Sequence, residues 1–142
     1  MASSILAMRD QQILLDDVTM AVHSGALDAD QYLQLDLCSD SRDLSRHGFA
    51  LHGLIFPQTG TLHELQGQMV VFHEDDLPAG SAICEPGRAL AITALQLNFG
   101  EISAGHFAID LLAICCRRND EGDMVEDDIR VLACLNAEIV PA

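Results

Sequence analysis

Apolar positions recur at two different spacings along this chain, and the spacing changes near residue 48. In the first part Leu14, Leu15, Val18 and Val22 share one face at helical period, while Asp10, Gln11, Asp16 and Asp17 lie toward the other. Ser3 or Ser4 stands where an N-cap is needed, and Gly25 is a helix stop because glycine takes the left-handed conformation without a Cβ penalty. The pattern predicts an amino-terminal helix. Asp28 with Gln31 has the form of a capping box. The residues after it fit two readings: Leu33 and Leu37 pair on a helix, whereas Leu33, Leu35 and Leu37 alternate as in a strand. The preferred expectation for residues 28–37 is a short helix.

Ser39 to Gly48 is polar, and beyond it the period moves toward two. Phe49, Leu51 and Ile55 alternate with Ala50, His52, Leu54 and Phe56, apolar on both faces, as expected of an interior strand. Met69 to Phe72 is a second strand core, and Glu74 to Gly80 a solvated loop. Ala91, Leu95, Leu97 and Phe99 share one parity, and Phe107, Ile109, Leu111, Ala113 and Cys115 repeat it after a loop bounded by Gly100 and Gly105. Two long strands so joined predict an antiparallel hairpin. Ile129, Val131, Ala133 and Leu135 return as a third strand. A helix from Val125 competes with it over 125–139, because Glu126, Asp127 and Asp128 suit a helix amino end. The short spacing between strands leaves no room for parallel βαβ crossovers. The expected fold is therefore α+β: a single domain over residues 1–142, with an amino-terminal helical region packed on a mainly antiparallel sheet.

Charge narrows the function classes. The 142 residues carry 22 acidic side chains against 7 basic ones, a net charge of −15, and all seven basic residues are arginine. With 49% apolar residues the chain is too hydrophobic for a disordered acidic tail. So negative a surface repels polyphosphate and anionic lipid, which argues against direct nucleic-acid or membrane binding. Arg42 and Arg46, one helical turn apart, and the adjacent Arg117 and Arg118 are expected in local salt bridges. Recognition of a DNA groove needs a helix with several basic residues, and none is visible. The amino terminus has no secretory pattern and no run suffices to cross a bilayer as a helix, so the expected location is cytoplasmic. The five cysteines, Cys38, Cys84, Cys115, Cys116 and Cys134, are expected as reduced, buried thiols.

The residue types that perform chemistry do not fall into working patterns. An EF-hand counted back from Gly122 would put Arg117 at its first ligand position. Glu74-Asp75-Asp76 and Glu126-Asp127-Asp128 read as solvated charges. There is no Cys-x-x-Cys and no His-Glu-x-x-His, and His47/His52 and His63/His73 lack one-turn helical spacing. Ser81 and Ser103 are not framed as Gly-x-Ser-x-Gly. Without lysine, a Walker loop and Schiff-base chemistry are impossible. No enzyme activity, cofactor, metal or catalytic residue is expected.

Taken whole, the chain resembles the RsaM family of bacterial quorum-sensing modulators. The resemblance is carried by Gly48-Phe-Ala-Leu-His-Gly-Leu-Ile-Phe-Pro57, His106-Phe-Ala-Ile-Asp-Leu-Leu-Ala-Ile114 and Asp128-Ile-Arg-Val-Leu-Ala-Cys-Leu-Asn136, together with overall length. It implies a negative or balancing regulator of acyl-homoserine lactone signalling, associated with the signal synthase and its receptor-type transcription factor. It also implies a homodimeric α+β domain without a DNA-binding motif. Its partners would be the protein components of that system, met through protein–protein contacts. The alternative expectation is an apolar-ligand module, in which sheet and amino-terminal helix enclose a pocket for an acyl chain.

Overall fold

A computed structural model describes residues 3–141 apart from 28–29, 40–45, 58 and 79. Ten strands account for most of the described chain: β1 (Ser4–Met8), β2 (Gln11–Leu15), β3 (Thr19–Leu27), β4 (Asp30–Cys38), β5 (Gly48–Pro57), β6 (Met69–His73), β7 (Ala82–Glu85), β8 (Arg88–Ser103), β9 (His106–Arg118) and β10 (Met124–Pro141). The only helical turns among the described residues are short 3-10 segments at Leu62–Leu65 and Glu74–Asp76.

The expected amino-terminal helical region is therefore absent, and the α+β assignment is corrected to an all-β fold. The physical reason lies in two turns. Arg9 and Asp10 both have positive φ, at 50° and 61°, and join Met8 to Gln11 as a two-residue hairpin loop. Asp17, at φ 52°, breaks the chain again before β3. Helical spacing at Leu14, Leu15, Val18 and Val22 is thus coincidental across a strand, a break and another strand. Gly25 lies inside β3, where it stands opposite Tyr32 of β4, and stops no helix. Over 28–37 the strand reading holds in the described part: Leu33, Leu35 and Leu37 alternate into the core. Asp28 of the supposed capping box lies outside the described residues. Over 125–139 the strand also prevails: β10 extends from Met124 to Pro141, with irregularities between Met124 and Ile129.

The strands pair into one mixed sheet that closes on itself. β3, β4, β5, β7, β8, β9 and β10 each pair antiparallel with the next. The ring is completed by a parallel pairing of Glu138–Pro141 in β10 with Thr19–Val22 in β3. The β1–β2 hairpin continues the same edge of β10 below β3, and β6 flanks β8 beyond β7. Closure removes most exposed strand edges, and it lets inward residues of opposite walls meet.

Inward residues are apolar apart from Ser4, Ser39 and Glu85. Phe107, Ile109, Leu111, Ala113 and Cys115 from β9 meet Val131, Ala133, Leu135 and Ala137 from β10, all buried. Phe99 lies at the centre of an aromatic line, 5.7 Å from the ring of Phe56 and 5.3 Å from that of Phe107, while Phe72 packs on the far side of Phe56. The hairpin predicted over β8 and β9 is present, but its strands run further than expected, to a two-residue turn at Ala104 and Gly105.

Bulges account for two errors of parity. In β5 the register shifts opposite Asp36, Gly53 takes φ 66°, and the Asp36 carboxylate accepts its N–H at 2.7 Å. Beyond that point Leu54 and Phe56 turn inward and Ile55 outward, the reverse of the alternation expected from Phe49 and Leu51. In β8 a shift between Ile92 and Ala94 does the same, so Leu90 and Ile92 share the core with Leu95, Leu97 and Phe99, and Ala91 does not.

Candidate functional site

Ionisable side chains gather most densely where the β1–β2 turn meets the ends of β7 and β10. Arg9 sits between two carboxylates: its Nε–H donates to Glu85, and its Nη1 and Nη2 groups donate to the two oxygens of Glu126 at 2.5 and 2.7 Å. Arg88 stands 3.7 Å from the other oxygen of Glu85, and Arg117 Nε lies 3.5 Å from Glu126. Glu85 is buried, and a buried carboxylate is tolerated when paired. The Arg9 hydrogen bond, helped by Arg117, holds the Glu126 carboxyl below its ordinary range, and Glu126 and Glu85 together raise the Arg9 guanidinium above its own. Opposite charges close a junction here. Held low by Arg9, the Glu126 carboxyl stays ionised near neutrality.

The other residues considered from the sequence are scattered. The Asp76 carboxylate accepts the N–H of His73 at 3.1 Å, making the 74–76 cluster a turn. Asp127 and Asp128 lie at the β10 irregularity, with Asp128 paired to Arg130 at 3.4 Å. Ser81 accepts the backbone N–H of His52. Among the described residues no group of three or more His, Cys, Asp or Glu could hold a metal ion. All five cysteines are free thiols; Cys115 and Cys116 are buried, Cys38 and Cys84 half-buried, and Cys134, against expectation, is exposed. Burial, with Cys116 and Glu85 nearby, pushes the Cys115 thiol up to about 12. Hydrogen bonding to Asp110 raises the Cys134 thiol, which keeps it protonated and a poor nucleophile.

Sequence reading also missed the pairing of His23 with Asp36 at 3.2 Å across β3 and β4. Nothing in their spacing announces it, because the expected reading put them in two separate helices, one ending at Gly25 and one over 28–37. Asp36 also holds the Gly53 bulge, so its carboxylate has a structural duty beside the imidazole.

Among the described residues an open surface cleft of about 650 Å³ runs from the β1–β2 turn, at Arg9 to Gln12, to Glu126–Arg130 of β10, beside the Arg9 junction. Two smaller clefts lie elsewhere. One, of about 220 Å³, lies beside β2 between Leu15, Asp16, Ser39 and Arg46. It is smaller than the few hundred Å³ typical of small-molecule pockets. The other, of about 320 Å³, crosses β8, β9 and β10 on the outer wall, where Gly100 lies so close to Ala108 that a Cβ would meet its carbonyl oxygen at 3.1 Å. Among the described residues β1, β2 and β3 stand where the amino-terminal helix was expected, so no helix packs there against the sheet.

The arginines complete the picture. Arg46 pairs with Asp16 at 3.1 Å, and Arg9, Arg88, Arg117 and Arg130 pair as described. Arg118 donates to the carbonyl of Gly122. The expected local salt bridges are thus present for Arg46 and Arg117; Arg118, expected in one too, meets a carbonyl instead among the described residues, and Arg42 lies outside them. No described helix is long and apolar enough to cross a membrane. Compared with known families, curated proteins and solved structures, the chain matches none.

Proposed function

We propose that this chain is a non-catalytic regulator that lowers or balances acyl-homoserine lactone signalling by binding protein components of that system. The resemblance supplies the biological setting. The observation that supports the route is the state of the arginines: every described one is already engaged with the chain's own carboxylates or carbonyls. Phosphate binding would have to break those pairs on a surface of net charge −15. A basic protein surface meets the opposite situation, since the carboxylate excess steers it in. The signal synthase and the receptor are the partners this reading names, and a homodimer is its working unit.

Deleting the gene and following acyl-homoserine lactone through growth tests the reading. Higher or mistimed signal, restored by the gene in trans, is expected; unchanged signal at every stage overturns it. Light scattering at micromolar concentration checks the dimer.

A further inference from the structure

The pairings place β2, β1, β10, β9, β8 and β6 side by side, and their registers align the outward residues into rows that cross all six strands. One row runs Leu14, Ile5, Cys134, Asp110, Asn98, Met69. The next runs Gln12, Ala7, Leu132, Leu112, Gln96, Val71. None of these side chains is buried, and Leu14, Leu132 and Met69 are 58%, 56% and 61% exposed. Flanking rows add Arg130, Ile114, Ala94 and His73 on one side, and Asn136, Ala108 and Gly100 on the other. In a chain of charge −15, this face carries one aspartate and one arginine.

Its border is different. Asp10 and Asp16 bracket β2, Glu74, Asp75 and Asp76 follow β6, and Asp128 and Glu138 end the outward stretch of β10. All are exposed, and among the described residues Asp10, Glu74, Asp75, Asp76 and Glu138 are in no ion pair. An apolar and amide centre inside an acidic rim is the anatomy of a protein interface. Each residue covers about 32 Å² of such a face, so the neutral rows supply about 600 Å². The rim brings this close to the roughly 800 Å² per partner of a standard complex.

We propose that this face docks a protein whose contact surface has an apolar centre and a rim of lysine or arginine. A second copy fits poorly, because it would set acidic rim against acidic rim; the homodimer of the reading above would use another surface. The proposal rests on the regulatory reading only for the identity of the partner.

The test places the photo-crosslinker benzoylphenylalanine at Leu132, at Val71 and, as a control, at Ile55, which is exposed on β5 away from this face. Irradiation in cells of the source organism is followed by identification of the adducts. The captured protein is then made pure and titrated against wild type, Leu132→Arg and Ile55→Arg at low and high salt. One discrete adduct from positions 132 and 71 but not 55 is expected. Binding should weaken at least tenfold with salt and at least tenfold with Leu132→Arg, while Ile55→Arg leaves it unchanged. Thermal midpoints matching wild type confirm that both variants fold; if Leu132→Arg does not, Val71→Arg takes its place. Equal adducts from Ile55, an adduct only with another copy of the chain or with lipid, no adduct, or binding indifferent to the substitution overturns the proposal. A captured partner that is neither synthase nor receptor leaves the docking face standing and removes its place in quorum sensing. Signal output that depends on the gene, without adducts from Leu132 and Val71, does the reverse.

Discussion

Arg9 and Glu85 are separated by 76 positions and share a hydrogen bond that joins the β1–β2 turn to the end of β7. Among the described residues no strand pairing links those elements, so side chains alone hold that side of the hairpin. Replacing Arg9 with alanine leaves the buried Glu85 with Arg88 as its remaining cation. A loss of about 1–2 kcal/mol is expected, below the full cost of orphaning a buried charge because Arg9 is partly solvated. Arg9 also has φ 50°. Arg9→Gly should therefore recover about 1 kcal/mol relative to Arg9→Ala by relieving the left-handed turn. Urea unfolding of both variants checks the pair.

Acid should loosen the same junction. The Glu126 carboxyl titrates below its ordinary range in the folded chain, chiefly because it accepts hydrogen bonds from Arg9. A depressed folded pKa contributes stability that is present above the unfolded pKa, about 4.3, and is lost as pH falls through the lower folded value. Glu126→Gln should consequently be less stable than wild type at pH 7, with the difference shrinking toward pH 3. Chemical denaturation at a series of pH values measures it; a constant gap would contradict the assignment.

Alkali acts through a different group. Cys115 is buried in β9, and its thiol is pushed up to about 12. For a raised folded pKa the contribution is complete below the unfolded value, near 8.5, and declines as pH rises through the folded one. Wild type should lose stability between about pH 9 and 12, and Cys115→Ala should lose less across that window. At pH 8, Ellman's reagent should reach Cys134 well before Cys115 or Cys116, and Cys134 should react slowly for an exposed thiol.

The aromatic line is the most sensitive part of the core. Phe99 contacts both Phe56 and Phe107 and is buried. Phe99→Ala should cost about 3–5 kcal/mol, well above Ile55→Ala at an exposed position of β5. Thermal melting distinguishes the two.

What the sequence disclosed follows from how much each element depends on distant partners. The β8–β9 hairpin was legible because Leu95, Leu97, Phe99, Phe107, Ile109 and Leu111 keep a two-residue period within one local unit, and all six are buried. The amino-terminal strands were not, since the turn at Arg9 and Asp10 uses positive φ without glycine or asparagine, and β1 gains its place from residues 131–134 of β10. The bulge at Gly53 depends on Asp36 of another strand, which no alternation within β5 reveals. For the candidate surface, the charge excess could be counted, but the neutral face could not. Its rows mix residues from six strands and exist only once the registers are known.

The parallel pairing of Glu138–Pro141 with Thr19–Val22 has a kinetic consequence. While the chain emerges from the ribosome, β8 and β9 can zip locally, but β3 must wait for the last strand before its outer edge is covered. Contacts of such sequence separation make folding slow and leave an unpaired edge exposed in the meantime. A chain cut before Glu138 would lose the staple that turns a curled sheet into a ring, and its expected fate is aggregation during synthesis.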